Sequence, residues 1–323
     1  DTGGLRGGRL LACVGPHAQA FRHVTPHYYD FLALGAATCW AASAVISAEP
    51  AKHLGAIAFV RWRMFFVALL LWSIAVFASR FPPLGMDTWG LMVLSGLVGI
   101  FLGDTTLFAA MNRLGPRRSG VLFATHALFT ALLGYLFLNE RLGAQVYLGA
   151  AITVAGVMVA VAWGQHKSAA HPWDSSPNTL SGIALALTAA FAQALGALIA
   201  KPAMDLSGGF DPVLASAVRV TTALLALVLV GFISPRFGRA QQPPTRHVLF
   251  QTAVSGWVGM GLGVGLLLWS LREGPVGSAG VLSALSPVII LPLLWLKFGR
   301  APASGAWIGA ILAIAGVALV LLR

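Results

Sequence analysis

Apolar runs of about 20 residues, separated by short stretches marked by charge, proline or glycine, recur along the chain. A run of that length matches the hydrocarbon thickness of a bilayer. Lipid offers a peptide group no hydrogen-bonding partner, so each run must satisfy its own backbone as a helix. Ten spans are expected, at about 29–48, 54–78, 88–112, 118–138, 144–164, 179–200, 212–234, 248–271, 276–297 and 304–322. Hydrophobic residues make up 58% of the chain and charged residues 10%, against roughly 25% charged in a soluble domain. A water-facing surface could not be covered, and the spans with their connections use nearly all 323 residues. The predicted fold is an all-α integral membrane protein of ten transmembrane helices.

The net charge of +11 does not point to nucleic acid, because the 21 Lys and Arg residues are spread over nearly every connection. They read as interfacial charge facing anionic headgroups. Cys13 and Cys39 make neither a disulfide framework nor a metal site. No His and Glu stand at metal-ligand spacing within a span, and neither a Gly-x-Ser-x-Gly elbow nor a Gly-x-x-x-x-Gly-Lys loop occurs. No catalytic residue, metal, cofactor or ATP-driven step is therefore expected. Residues 1–28 form an N-terminal tail; the first methionine in the sequence is Met64, and residues 1–23 lack the apolar core of a signal peptide. The expected natural start lies near Val24, with the tail as upstream sequence.

The chain repeats itself. Ser95-Gly96-Leu97-Val98-Gly99-Ile100-Phe101-Leu102-Gly103 returns as Ser255-Gly256-Trp257-Val258-Gly259-Met260-Gly261-Leu262-Gly263. Gly149 to Val157 (GAAITVAGV) returns as Gly309 to Val317 (GAILAIAGV), Gly115-Pro116 as Gly274-Pro275, and Glu49-Pro50 as Lys201-Pro202. Arg61 in the second span pairs with Arg219 in the seventh. The expected organisation is a first five-helix repeat at 29–164, a linker at 165–178 (QHKSAAHPWDSSPN) and a second repeat at 179–322. Five spans per repeat is an odd number, so the second repeat enters the membrane from the opposite face. Inverted repeats are a known route to alternating access, with substrate bound near the midplane.

The Arg early in the second helix of each repeat, the Gly-Pro opening of the fourth, and Leu138-Asn139-Glu140-Arg141-Leu142 before a Gly-rich fifth helix resemble the EamA-type branch of the drug/metabolite transporter superfamily. The resemblance covers about residues 29–322. It implies an inner-membrane exporter or permease, often for amino acids or related compounds. A sugar or anionic-metabolite permease is the second reading, and a lipid-handling membrane subunit is the reading from another class. The sequence departs from the pattern at Arg300, where the first repeat has Glu140, and at Ala127, where the second has Pro287. The expected partners are a small-molecule substrate and the lipid bilayer, not nucleic acid, with a homodimer left open.

Ionisable residues inside spans are costly and so are functional candidates. Let face A be the side reached by the loop after the first span, and face B the other. At about 1.5 Å per residue, Arg61 lies about 11 Å from face A, and Asp104, His126 and Trp40 about 12 Å. One reading is an Arg61–Asp104 ion pair holding spans together. The other makes Asp104 or His126 a proton-coupling site; His126 also reads as a satisfied core histidine. Arg63, two residues from Arg61, faces the other way and is expected to snorkel toward face A. In the second repeat Arg219 lies about 11 Å from face B, with Val264 standing where Asp104 would be and Ser286 where His126 would be. With no acid in its layer, Arg219 needs either a distant acid or a bound anion; it is expected to receive an anionic substrate group, assisted by Gln193 and Ser286, and an arginine bonded only to backbone carbonyls and water is the alternative. The expected substrate-binding set is Arg219, Gln193, Ser286, Trp40 and Arg61. Pro287 and Pro292 interrupt the ninth span. The glycine triplets of the third and eighth spans are expected to serve close helix packing rather than a substrate path. Lys and Arg together number ten on face A against five on face B, or eight with the tail; that favours face A as cytoplasmic, whereas the resemblance implies cytoplasmic termini, on face B.

Overall fold

A computed structural model describes residues 28–77, 85–140, 143–163, 180–205, 211–233, 239–298 and 304–321. The tail up to Thr25-Pro26-His27, the linker core and Arg300 lie outside them. The described residues form thirteen α-helices and two π-helical segments, with no strand among them. In order these are α1 (Tyr28–Leu54), α2 (Ala56–Phe77), α3 (Met86–Ser95), a first π segment (Gly96–Leu102), α4 (Gly103–Phe123), α5 (His126–Leu138) and α6 (Ala144–Trp163). There follow α7 (Leu180–Asp205), α8 (Pro212–Ile233), α9 (Arg246–Gly256), a second π segment (Trp257–Gly263), α10 (Val264–Glu273), α11 (Val276–Ser283), α12 (Ser286–Phe298) and α13 (Ser304–Leu321). Eight described segments are long and apolar enough to cross a membrane; His126–Leu138 and Ala144–Ala160 are apolar but shorter.

Two segments break in mid-run. Helix α5 restarts after Ala124-Thr125, and α12 restarts after Ala284-Leu285. Both breaks carry tight i to i+3 bonds, such as the Thr125 N–H to the Leu122 carbonyl (3.2 Å) and the Leu285 N–H to the Leu282 carbonyl (3.3 Å). Pro287 cannot donate and sits in the first turn of α12, where no donor is required. The break in the first repeat forms with Ala127 at that position, so proline is not needed for it. The Gly-Pro opening behaves differently in the two halves. Gly274 and Pro275 are extended and separate α10 from α11, whereas helix α4 continues through positions 115–116.

Helices α1 and α7 hold corresponding places. The first packs against α9, the second π segment, α10, α11 and α12; the second packs against α3, the first π segment, α4 and α5. Helices α2 and α8 pack on one another, and α6 on α13. Glycine sets the last of these seams. A Cβ on Gly149 would sit 2.6 Å from the Gly316 carbonyl oxygen, and one on Gly156 or Gly309 would strike the backbone N of Ala313 or Ala160. Backbone-to-backbone approach of this kind replaces hydrophobic driving force in lipid with dispersion contact.

Each glycine triplet lies in or beside a π segment. A π turn carries one extra residue and shifts the side-chain register. Gly96 abuts the Arg219 backbone, and Gly196 abuts the Gly99 backbone at 2.5 Å from where its Cβ would be. The triplets thus serve close packing: Gly96 and Gly99 meet Arg219 of α8, Gly256 and Gly259 meet Arg63 of α2, and Gly103 and Gly263 meet α7 and α1.

Candidate functional site

Two arginines meet the glycine triplets reciprocally. Arg63 on α2 sits against Gly259 of the second repeat, its Nη2 2.8 Å from where a Cβ would stand; Arg219 on α8 sits against Gly99 of the first, its Nη2 3.0 Å from the equivalent point. Arg63 is 7% exposed and Arg219 2%. The two helices begin at Ala56 and Pro212, and from those starts the structural counterpart of Arg219 is Arg63. This corrects the pairing of Arg219 with Arg61, and it corrects the expectation that Arg63 snorkels. Arg61 is only half-buried and points toward Gly231, 3.6 Å from where a Cβ would stand there.

Arg63 is held by a short chain of bonds. Its Nη2 donates to Ser43 Oγ (3.2 Å), which donates to the Ser255 carbonyl (2.7 Å), and its guanidinium lies 5.9 Å from the Phe59 ring centroid. Nε of Arg63, and Nε and Nη1 of Arg219, are buried with no hydrogen-bond partner among the described residues. Asp104, in the first turn of α4, lies within electrostatic reach of both guanidiniums. An acid from outside its own layer thus lies within electrostatic reach of Arg219. Depth counted within one repeat misses it because the carboxylate comes from the other repeat. Two cations share one carboxylate, which leaves an excess of positive charge in a region where charge is expensive.

Trp40 does not face this cluster with a free edge. Its Nε1–H donates to the Gly259 carbonyl (3.0 Å), and its ring fills the space beside Gly263. A π segment leaves carbonyls outside the regular ladder, and the indole takes one of them.

A small cleft with about 10 Å³ of free space lies between the two broken helices, lined by His126, Thr130, Gln193, Ser283 and aliphatic side chains of α7, α10 and α11. His126 is 3% exposed and packs beside Phe123, with ring centroids 5.1 Å apart. Of the expected substrate residues, Gln193 lines this cleft together with the proton-coupling candidate His126. Ser286, half-buried at the head of α12, is not among its lining residues, while Ser283 one turn earlier is. Thr130 and Ser283 escaped the sequence reading because a hydroxyl in an apolar run carries no cost that would mark it.

Glu140 has a structural task. Asn139 adopts a left-handed conformation (φ 52°) and the Glu140 N–H donates to the Gly134 carbonyl (3.1 Å), closing α5. The turn aims the carboxylate at α11, where it accepts from the N–H groups of Val276 (2.7 Å) and Gly277 (3.1 Å). A negative group at a helix N-terminus meets both the free donors and the helix dipole. Gly134 leaves the room, since a Cβ there would lie 2.6 Å from Glu140 Oε2.

Membrane-length apolar helices with buried charges between them define the class: a multi-pass helical membrane protein. Residues 27–162 and 180–322 each match the EamA-like transporter family, and the chain belongs to that family, part of the drug/metabolite transporter superfamily. Among its relatives is a protein of Archaeoglobus fulgidus described as an uncharacterized transporter, 24% identical over 82% of this chain and 88% of that protein. Another is the uncharacterized transporter YetK of Bacillus subtilis, 25% identical over 41% of this chain and 39% of that protein. A crystal structure of another protein superposes with a TM-score of 0.72 at 16% identity, over 90% of this chain and 95% of that one, and so shares the fold.

Proposed function

We propose that the chain is a secondary transporter that exports amino acids or related small metabolites across the inner membrane by alternating access. In this reading ten spans form two inverted five-helix repeats, at 29–164 and 179–322, and one repeat rocks against the other. The observation that carries it is the cleft between the two broken helices, whose polar lining comes from both repeats: His126 and Thr130 from one, Gln193 and Ser283 from the other. Broken helices that line a polar cavity are a recurrent device for holding solutes at mid-membrane. The arginines and Asp104 lie beside the segments that would have to move, and Asp104 serves as the proton-coupling candidate together with His126. The polar residues sit in mid-span rather than at one interface, which favours transport over a lipid-handling role.

A sugar or anionic-metabolite permease is the second reading, favoured by the buried nitrogens of Arg219 that lack partners. Counterflow into proteoliposomes with a pooled set of labelled amino acids, sugars and organic acids separates the two. Amino-acid exchange supports the first. Exchange confined to sugars or organic acids selects the second, and no exchange above empty vesicles by folded protein sinks both.

A further inference from the structure

The junction between α10 and α11 leaves backbone groups that its own segment does not satisfy. The Gly274 N–H donates to the Ser270 carbonyl (2.9 Å) and closes α10. The next carbonyl, that of Leu271, would bond residue 275, but Pro275 has no N–H. Lys201, near the end of α7, takes it: Nζ donates to the Leu271 carbonyl (2.7 Å). Just past Pro275 the N–H groups of Val276 and Gly277 open a buried helix, and Glu140 accepts from both (2.7 and 3.1 Å). A cation thus meets the C-terminus of one helix and a carboxylate the N-terminus of the next, each the favourable sign for the helix dipole. Both side chains come from the helices grouped around α7, and both targets belong to those grouped around α1.

Beneath these two charges lies the small cleft, whose lining includes Leu271 and Val276, the residues whose backbone they hold. Its free space of about 10 Å³ admits roughly one water molecule, so a solute reaches it from face B only when α5 and α11 part. We infer, resting on the transporter reading above, that Lys201 and Glu140 form a two-charge clasp that holds the face-B mouth of the cleft shut and must release for that face to open. Glu140 is half-buried, so water follows as the helices part and takes over the freed N–H groups. The first repeat is not built this way. Helix α4 runs on through positions 115–116 and presents no helix ends there, and the matching sequence positions carry the opposite charge, Glu49 for Lys201 and Arg300 for Glu140. Glu49 accepts from Gln251 Nε2 (3.2 Å) on α9, inside its own group of helices.

The test uses the full chain with Cys13→Ser, Cys39→Ser and a reporter, Ser283→Cys, in membrane vesicles of both orientations, with face B marked by a tag after Arg323. A membrane-impermeant maleimide is expected to label the reporter about tenfold faster from face B when Glu140→Gln or Lys201→Met is added, and at an unchanged rate from face A. Gly134→Ala, which sets a Cβ 2.6 Å from Glu140 Oε2, should act like Glu140→Gln while keeping the charge. Arg272→Gln, whose partner Glu273 is its neighbour in sequence, is the control and should leave labelling unchanged. The double swap Glu140→Lys with Lys201→Glu should label fastest, because the helix ends keep their polarity. Slow labelling restored by the swap would mean that the two side chains merely pair with one another, and the clasp is then wrong. Unchanged labelling in Glu140→Gln and Lys201→Met proteins that elute as folded would overturn it too, as would an equal rise from both faces. Counterflow of the pooled metabolites by the chain without the reporter reads transport separately: no exchange removes the transporter reading, while labelling from face B still decides the clasp.

Discussion

Asp104 is the carboxylate that lies within electrostatic reach of both buried cations. Two guanidiniums at 7% and 2% exposure have partnerless nitrogens and share this one carboxylate. Removing one partner of a buried charge cluster typically costs about 3–5 kcal/mol, because the remaining charge is stranded. Asp104→Asn should therefore lower the thermal unfolding temperature in detergent, and adding Arg219→Gln should recover part of the loss. A single variant that melts like the wild type would mean that the arginines are neutralised elsewhere. Glu140 is a milder case. A carboxamide at that position keeps one acceptor but loses the charge at the α11 N-terminus, so Glu140→Gln should cost about 1 kcal/mol in the same measurement. Glu140→Lys should cost more, since it sets a cation against the positive end of the helix.

Among the helices, the α6–α13 seam is the least forgiving. Ala at Gly309 would drive its Cβ into the Ala160 backbone, and backbone cannot move aside as a side chain can. Gly309→Ala should therefore reduce folded, monodisperse protein in gel filtration. Gly90→Ala, with nothing within 4 Å of the added atom, is the tolerant control; equal recovery of the two would show that the seam is looser than it looks. The glycine repeats were legible because identical small-residue spacing at 149–157 and 309–317 survives in the sequence. Which helix each glycine meets was not legible, since a glycine marks close approach without naming the neighbour. The same limit explains the arginines. Arg61 and Arg63 point to different faces of α2, and in lipid both faces of a helix are apolar, so no polar stripe reveals which one turns inward. Burial of Arg63 follows from the docking of α2 beside α1 and the second π segment.

For the molecule as a whole, orientation is a proposal that a fusion can test. The first and last described helices both have their outer termini on face B in the ten-span reading, and family resemblance puts that face in the cytoplasm. A reporter fused after Arg323 should therefore be active in its cytoplasmic form. Activity only in the external form would reverse the assignment and vindicate the ten-to-five excess of Lys and Arg on face A.

Sequence alone determined that this chain is helical, multi-pass and internally repeated. Those properties rest on the length of apolar runs and on the cost of an unpaired peptide group in lipid, and both are local. The Gly-Pro, Asn-Glu-Arg and glycine-repeat signals added the family, again from local spacing. Tertiary structure decided the site. It brought Asp104 within reach of arginines from both repeats, chose Arg63 over Arg61, and set His126, Thr130, Gln193 and Ser283 around one cleft. None of these follows from position along the chain, because helices in a bilayer are placed by close packing at a few glycines rather than by a hydrophobic face that the sequence displays.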